Sequence, residues 1–146
     1  MSQINRFNGD YIFLSNFYPV EVEYNGILYP SVEHAYQAQK TLNEDIRLDF
    51  SKINKDRACD AKKKSYSIKK REDWDIIKLS IMKDLLFIKF RETPLKEMLL
   101  STDNAILIEG NQWGDTFWGV CNNQGANMLG ILLTYVRHCL RYDNTY

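Results

Sequence analysis

The sequence predicts a helix-rich α+β domain with a small antiparallel sheet, and three features lead to that expectation. Residues 20–24 alternate apolar with acidic and run into Asn25-Gly26, the dipeptide a type I′ hairpin turn favours, before Ile27-Leu28-Tyr29. From residue 32 to residue 100 the apolar spacing is helical in several successive pieces. Residues 105–109 then form one short apolar strand that leads, through a glycine-rich loop, into a last amphipathic helix.

At 146 residues the chain is expected to be a single domain, 1–146, large enough to bury a core without staples. Lys plus Arg and Asp plus Glu stand at 19 each, so no global field draws the chain to nucleic acid or anionic lipid, and any polyanion site must be local. No apolar run approaches the roughly 20 residues that span a bilayer, and the N-terminus shows no signal-peptide h-region, so an intracellular, cytoplasmic protein with no membrane partner is expected. Cys59, Cys121 and Cys139 are scattered, with only His34 and His138 to join them, which argues for free thiols and against a metal site. No cofactor is implied.

Taken in order, residues 1–10 carry little signal. Tyr11-Ile12-Phe13-Leu14 is a β-like run ended by a turn at Asn16 and Pro19, and the hairpin follows. Pro30 keeps the entering chain extended and Ser31 is an N-cap, which starts a helix at Val32 that runs to Lys40. Residues 45–53 and 56–64 read as two short helices. The second opens a basic stretch, Arg57, Lys62, Lys63, Lys64, Lys69, Lys70 and Arg71, with Tyr66 inside it. Residues 72–91 form a long amphipathic helix with Trp74, Ile77, Ile81, Leu85 and Ile88 on one stripe, widened by Ile76, Met82, Leu86 and Phe90. Thr93-Pro94 starts another helix, with Pro at its first position, through Leu100. The last helix, 126–141, buries Leu129, Leu132, Leu133, Val136 and Leu140.

Two stretches hold the groups that do chemistry. On the helix from Val32, Glu33, Tyr36, Gln37 and Lys40 share a face without an apolar stripe. Glu33 and Lys40 are seven residues apart, nearly in line and about 10.5 Å apart along the axis, with room for a sugar-sized group. The same residues also fit a solvated face, with Glu33 at the helix dipole and Lys40 paired to Glu44. The second stretch is the loop 110–125, with two tryptophans, four glycines and Asp115. Its glycines allow close backbone approach, its tryptophans offer flat surfaces, and the N–H groups opening the last helix favour an anion. Trp113 and Trp118 equally fit plugs at a core edge. The basic stretch fits either phosphate contacts or a solvated surface.

The motifs Phe13-Leu14-Ser15-Asn16-Phe17-Tyr18-Pro19, Glu33-His34-Ala35-Tyr36-Gln37-Ala38-Gln39-Lys40, Asp60-Ala61-Lys62, Arg71-Glu72-Asp73-Trp74, Asp115-Thr116-Phe117-Trp118-Gly119 and Gly125-Ala126-Asn127-Met128-Leu129-Gly130 occur in an order that resembles the NADAR superfamily, also called YbiA-like, over roughly residues 11 to 141. The resemblance implies an α+β N-glycosidase that splits a ribose from a nitrogenous base. The substrate would be a ribosylaminopyrimidine phosphate of riboflavin synthesis, or ADP-ribose carried on guanine in DNA. It also implies site residues: Glu33, Lys40 and Asp115 as acid, base or nucleophile, and Asn16, Tyr36, Lys62, Arg71, Trp113, Trp118, Gly119 and Asn127 as substrate-binding residues. The partners are then a phosphorylated ribosyl or ADP-ribosyl substrate, and ADP-ribosylated DNA. Two departures bear on substrate choice: Lys63-Lys64-Ser65-Tyr66 replaces the family's Gly-Arg after Ala61-Lys62, and the loop is poorer in glycine and charge than in riboflavin-type members. Glu33 suits charge stabilisation at C1′, with Asp115 or Lys40 as the acid; alternatively Lys40 attacks C1′ to form a Schiff base. A non-catalytic ADP-ribose or nucleotide-binding module is the alternative.

Overall fold

The computed structural model describes residues 2–142. Its elements are β1 (Gln3–Ile4), a 3₁₀ helix (Gly9–Leu14), β2 (Val22–Tyr24), β3 (Ile27–Tyr29), α1 (Val32–Ala38), α2 (Glu44–Ser51), α3 (Ala58–Ser65), α4 (Trp74–Phe90), α5 (Leu95–Leu100), β4 (Ile106–Leu107) and α6 (Met128–Tyr142). The fold is α+β, and its residues gather into two compact units, one of Asn16–Lys89 and one of the segment up to Ser15 with Phe90 onward.

In the Asn16–Lys89 unit, β2 and β3 pair antiparallel with Val22 opposite Tyr29 and Tyr24 opposite Ile27. Asn25 and Gly26 both have positive φ, 50° and 83°, as a type I′ turn requires. The strand begins at Val22 rather than Val20, because Val20 donates its N–H to Pro30 O, 3.0 Å away, at the base of the hairpin. α1 starts at Val32 as its cap dictates, the Ser31 hydroxyl accepting from the His34 N–H. It ends at Ala38, before the expected Lys40, where the Lys40 N–H turns back to Gln37 O at 3.2 Å. α1 packs on α2 and α3, and every residue of it is buried. A fully buried His34 ties this helix down, with Nδ1 2.6 Å from Ser31 Oγ and Nε2 3.2 Å from Asn54 O. The long α4 meets the unit through Trp74 on Tyr36, Met82 beside Asn16 and Asp84 on Tyr24. Ile76, expected to widen its apolar stripe, is 85% exposed.

In the other unit, the β-like run expected at 11–14 is a 3₁₀ helix. Gly9 at φ +55° starts a turn that the Tyr11 N–H closes onto Asn8 O, and only Phe13 and Leu14 of the run are buried, which is not the alternation a strand needs. The strand expected over 105–109 is reduced to Ile106–Leu107. It pairs in parallel with β1, so the second sheet is a two-residue parallel ladder that ties residues a hundred positions apart. Pro94 is the N-cap of α5 rather than its first residue. α6 buries Leu129, Leu133, Val136 and Leu140 against β4 and α5, while Leu132 is half-buried. Among the described residues no helix is long and apolar enough to cross a membrane.

Candidate active site

The polar face of α1 is sealed rather than solvated. Glu33 is 7% exposed and Gln37 4%, with Tyr36 buried between them in sequence. The surface pairing of Lys40 with Glu44 is not formed; Lys40 Nζ lies 3.5 Å from Ser65 Oγ on α3. With the Asn16 segment, Trp74 of α4 and Ser65 of α3 set against this side of α1, residues that a sequence pattern leaves open to water become interior polar groups.

A buried carboxylate costs several kcal/mol unless neighbours compensate it. Around Glu33 the compensation is specific: Gln37 Nε2 donates to Oε1 at 2.7 Å, and the first-turn position adds the helix dipole. The Glu33 N–H donates to Asn16 O at 3.0 Å, which ties the Asn16 segment to the start of the helix. With its nitrogen committed to a carboxylate, the Gln37 amide is fixed in one orientation and its oxygen faces away. That oxygen and Asn16 Oδ1 are buried acceptors with no hydrogen-bond partner among the described residues. An orphaned buried acceptor costs about 1–3 kcal/mol, and one of the two belongs to the amide that holds the Glu33 carboxylate.

Lys40 sits in an aromatic corner. Its Nζ is 5.9 Å from the ring centroid of Tyr36 and 5.9 Å from that of Trp74, and the two rings are 5.1 Å apart at 54°. Burial holds the amine below the ordinary lysine range; Glu33 pulls it up, and Lys70, Lys62 and Lys78 push it further down. Desolvation and three like charges against one carboxylate leave the amine readier to lose its proton than a surface lysine.

The structure sorts the basic stretch. Arg57 is paired to Asp60 at 3.0 Å, and Lys64 lies over the Phe50 ring, so these cations are used locally. Lys62 and Lys70 stand near enough to Lys40 to depress it. Arg71 is held by Asp73 through two bonds of 2.6 and 3.0 Å, and its N–H donates to Lys40 O at 2.7 Å, which secures the turn after α1. Asn16, Glu33, Tyr36, Lys40, Lys62 and Arg71 thus all fall in the Asn16–Lys89 unit.

Asp115, Trp113, Trp118, Gly119 and Asn127 belong to the other unit, where the loop is built largely by its own side chains. Asp115 Oδ1 accepts from the Phe117 and Trp118 N–H groups at 3.1 and 2.9 Å, and Asn111 brackets the same turn by accepting from the Asp115 N–H and donating to Asp115 O. Asn127, at φ +53°, uses both ends of its amide: Oδ1 accepts from the Glu109 N–H at 3.0 Å and Nδ2 donates to Leu107 O at 2.9 Å. The anion site expected at the start of the last helix is not available, because the Met128 and Leu129 N–H groups donate to Phe117 O and Trp118 O. The glycines serve the loop itself: a Cβ on Gly119 would strike Glu109, and one on Gly125 would strike Gly119 O. Trp113, by contrast, is 64% exposed.

Lys89 was not among the site residues expected from the sequence. It is 3% exposed on α4, over the Tyr18 ring at 5.6 Å, and burial pushes its amine down to about 7. The helical stripe made it scaffold, and its i, i+4 relation to Leu85 was the available sign of its burial. A cleft of about 420 Å³ between Pro19-Val20-Glu21, Leu28-Tyr29-Pro30, Ser51 and Lys55 includes none of the polar residues of α1.

A helix-rich α+β chain that buries a carboxylate and an amide on one short helix, with a half-buried amine just past its end, belongs to the class of proteins built around an interior polar site. Its family is specific: residues 5–141 match the NADAR domain, and the chain belongs to that family. It is 32% identical over 136 residues to the N-glycosidase YbiA of Escherichia coli, a match covering 92% of this chain and 84% of that protein. It is 37% identical over 138 residues to a riboflavin biosynthesis protein of Vibrio vulnificus, where the match covers 92% of this chain but spans 37% of the relative's length. The NMR structure of E. coli YbiA aligns with a TM-score of 0.84 at 31% identity, covering 96% of this chain and 85% of that one.

Proposed function

We propose that this chain hydrolyses an N-glycosyl bond, splitting C1′ of a phosphorylated ribosyl group from the nitrogen of a base. The observation that carries the reading is the interior set on α1, Glu33 held by Gln37 with Lys40 beyond it between Tyr36 and Trp74. The names of the YbiA relatives as N-glycosidases, and of the V. vulnificus relative as a riboflavin biosynthesis protein, support both the reaction and a ribosylaminopyrimidine phosphate as substrate.

In this reading the Glu33 carboxylate faces C1′ and stabilises the positive charge that grows there as the C–N bond lengthens. Lys40, once neutral, attacks C1′ as the C1′–N bond breaks, and one amine proton passes to the leaving nitrogen; the C1′–O4′ bond then breaks, the remaining amine proton passes to O4′, and a Schiff base between Lys40 and the opened sugar is left. Water then adds to the Schiff base, and the free sugar and the Lys40 amine are restored. Lys62 and Lys70 supply charge for the phosphate and keep the Lys40 amine easier to deprotonate. Asp115 acts through the shape of its loop.

A second reading, removal of ADP-ribose from guanine in DNA, has the 64% exposure of Trp113 in its favour, since exposed aromatic side chains are the usual stacking platforms for nucleobases. One experiment separates the readings. The protein is incubated with ribosylaminopyrimidine phosphate and, separately, with ADP-ribosylated guanine DNA, and released base is followed by mass spectrometry. Stoichiometric release of the pyrimidine supports the first reading, and release of ADP-ribose from the DNA supports the second. Retention of ligand with no release from either would make the chain a binding module and end the hydrolase proposal.

A further inference from the structure

We infer that Gln37, together with Asn16, reads a ribose hydroxyl, so that the site selects a ribosyl over a 2′-deoxyribosyl ligand. The inference rests on the reading of α1 as the place where the sugar is held.

The Gln37 amide has two ends with different tasks. Nε2 is fixed on Glu33 Oε1 at 2.7 Å, so the amide cannot turn over without setting its oxygen against a carboxylate oxygen. Oε1 is therefore an acceptor by necessity, and it has no donor among the described residues. Asn16 Oδ1 is in the same condition, and Asn16 is joined to the helix by its carbonyl, which accepts from the Glu33 N–H at 3.0 Å. Its amide nitrogen donates to the Met82 sulfur, at 3.5 Å. Both side chains are more than nine-tenths buried, at 8% and 4% exposure.

An acceptor that the protein does not satisfy needs a donor from outside, and two such acceptors, one on the amide that holds the Glu33 carboxylate and one on a residue tied to the Glu33 backbone, call for a ligand that carries hydroxyls. With Glu33 beneath C1′, a group bonded directly to that carboxylate lies one bond further along the sugar, at the 2′-hydroxyl. Neither oxygen is open to solvent, so a hydroxyl carried in by a sugar forms its bond free of competition from bulk water. Reaching the oxygens takes a local side-chain adjustment, of the kind common on binding. A site built to bond a hydroxyl discriminates strongly against the analogue lacking it, because its buried polar group is then left unpaired.

The test compares ribose 5-phosphate with 2-deoxyribose 5-phosphate by isothermal titration calorimetry on the full chain. The native protein is expected to hold the ribose compound at least about tenfold more tightly. Gln37→Met should reduce that preference to within about twofold, and Asn16→Ala should reduce it by a smaller factor. The ratio is insensitive to a loss of folded material, which a purely structural role would cause. Equal affinity of the native protein for the two sugars, binding of neither, or a preference unchanged in both variants would overturn the inference. If the preference holds while no N-ribosyl compound is cleaved, the hydrolase proposal fails and the sugar-reading role stands. Cleavage without the preference gives the reverse.

Discussion

Replacing Glu33 by Gln removes one negative charge and little else. The glutamine keeps an oxygen at the position that accepts from Gln37 Nε2 at 2.7 Å, and the backbone bond to Asn16 O is untouched, so the fold should persist. The magnitude follows from the burial of the site. A unit charge about 3.5 Å from a carboxylate, at an effective dielectric near 20, is stabilised by about 5 kcal/mol. With roughly half to two-thirds of a charge developed at C1′ in the transition state, the loss is about 2.5–3 kcal/mol, or about a hundredfold in kcat. The ground state carries no such charge, so KM should stay within about threefold. Steady-state kinetics on the ribosylaminopyrimidine phosphate read both numbers. A kcat loss below about tenfold, or an increase in KM at constant kcat, would refute electrostatic stabilisation by this carboxylate.

Three further outcomes are expected. Borohydride added during turnover should fix the sugar on Lys40, detected by peptide mass spectrometry; Lys40→Arg, which keeps the charge but forms no Schiff base, should lose turnover, and normal turnover in that variant would exclude the amine as nucleophile. The Lys89 amine is pushed down to about 7 by burial, whereas in the unfolded chain it titrates near its ordinary value of about 10.4. Between those values the unfolded state binds the extra proton, so the Lys89 contribution to stability is full above about pH 10 and is lost as pH falls toward about 7. Melting curves of Lys89→Met against the native protein should show this slope removed, and an identical slope would contradict the assignment. Asn127→Ala breaks two bonds that anchor β4, to the Glu109 N–H and to Leu107 O, and should lower unfolding free energy by about 2–3 kcal/mol in urea; loss of activity with an unchanged urea midpoint would instead make Asn127 a ligand contact.

What the sequence revealed was local. Asn25-Gly26 set the hairpin and Ser31 set the start of α1, because each acts within three residues of itself. β1 was invisible because two residues, Gln3 and Ile4, gain their meaning only from Ile106 and Leu107. The burial of Glu33 and Gln37 was equally out of reach, since it depends on tertiary packing against a face that carries no apolar stripe. The internal bonding of the loop 110–125 was also out of reach: Asp115 and the glycines have the composition of a ligand site, and their bonds hold the loop while the Met128 and Leu129 amides at the start of α6 are taken by Phe117 O and Trp118 O. Lys40 and Glu33 were singled out by their spacing and by the family motif, while the aromatic corner and the lysines that shift the amine are seen only in the structure.

The location of the sugar is the point on which the mechanism, the specificity and the role of Lys40 all depend. It is tested most directly by titrating ¹⁵N-labelled protein with ribose 5-phosphate and following the amide resonances. The expected result is a saturable set of shifts at Glu33, Gln37, Lys40, Asn16 and Lys62. Shifts confined to the cleft of Pro19, Leu28 and Lys55, with the amides of α1 unmoved at saturation, would place the ligand elsewhere and contradict the account.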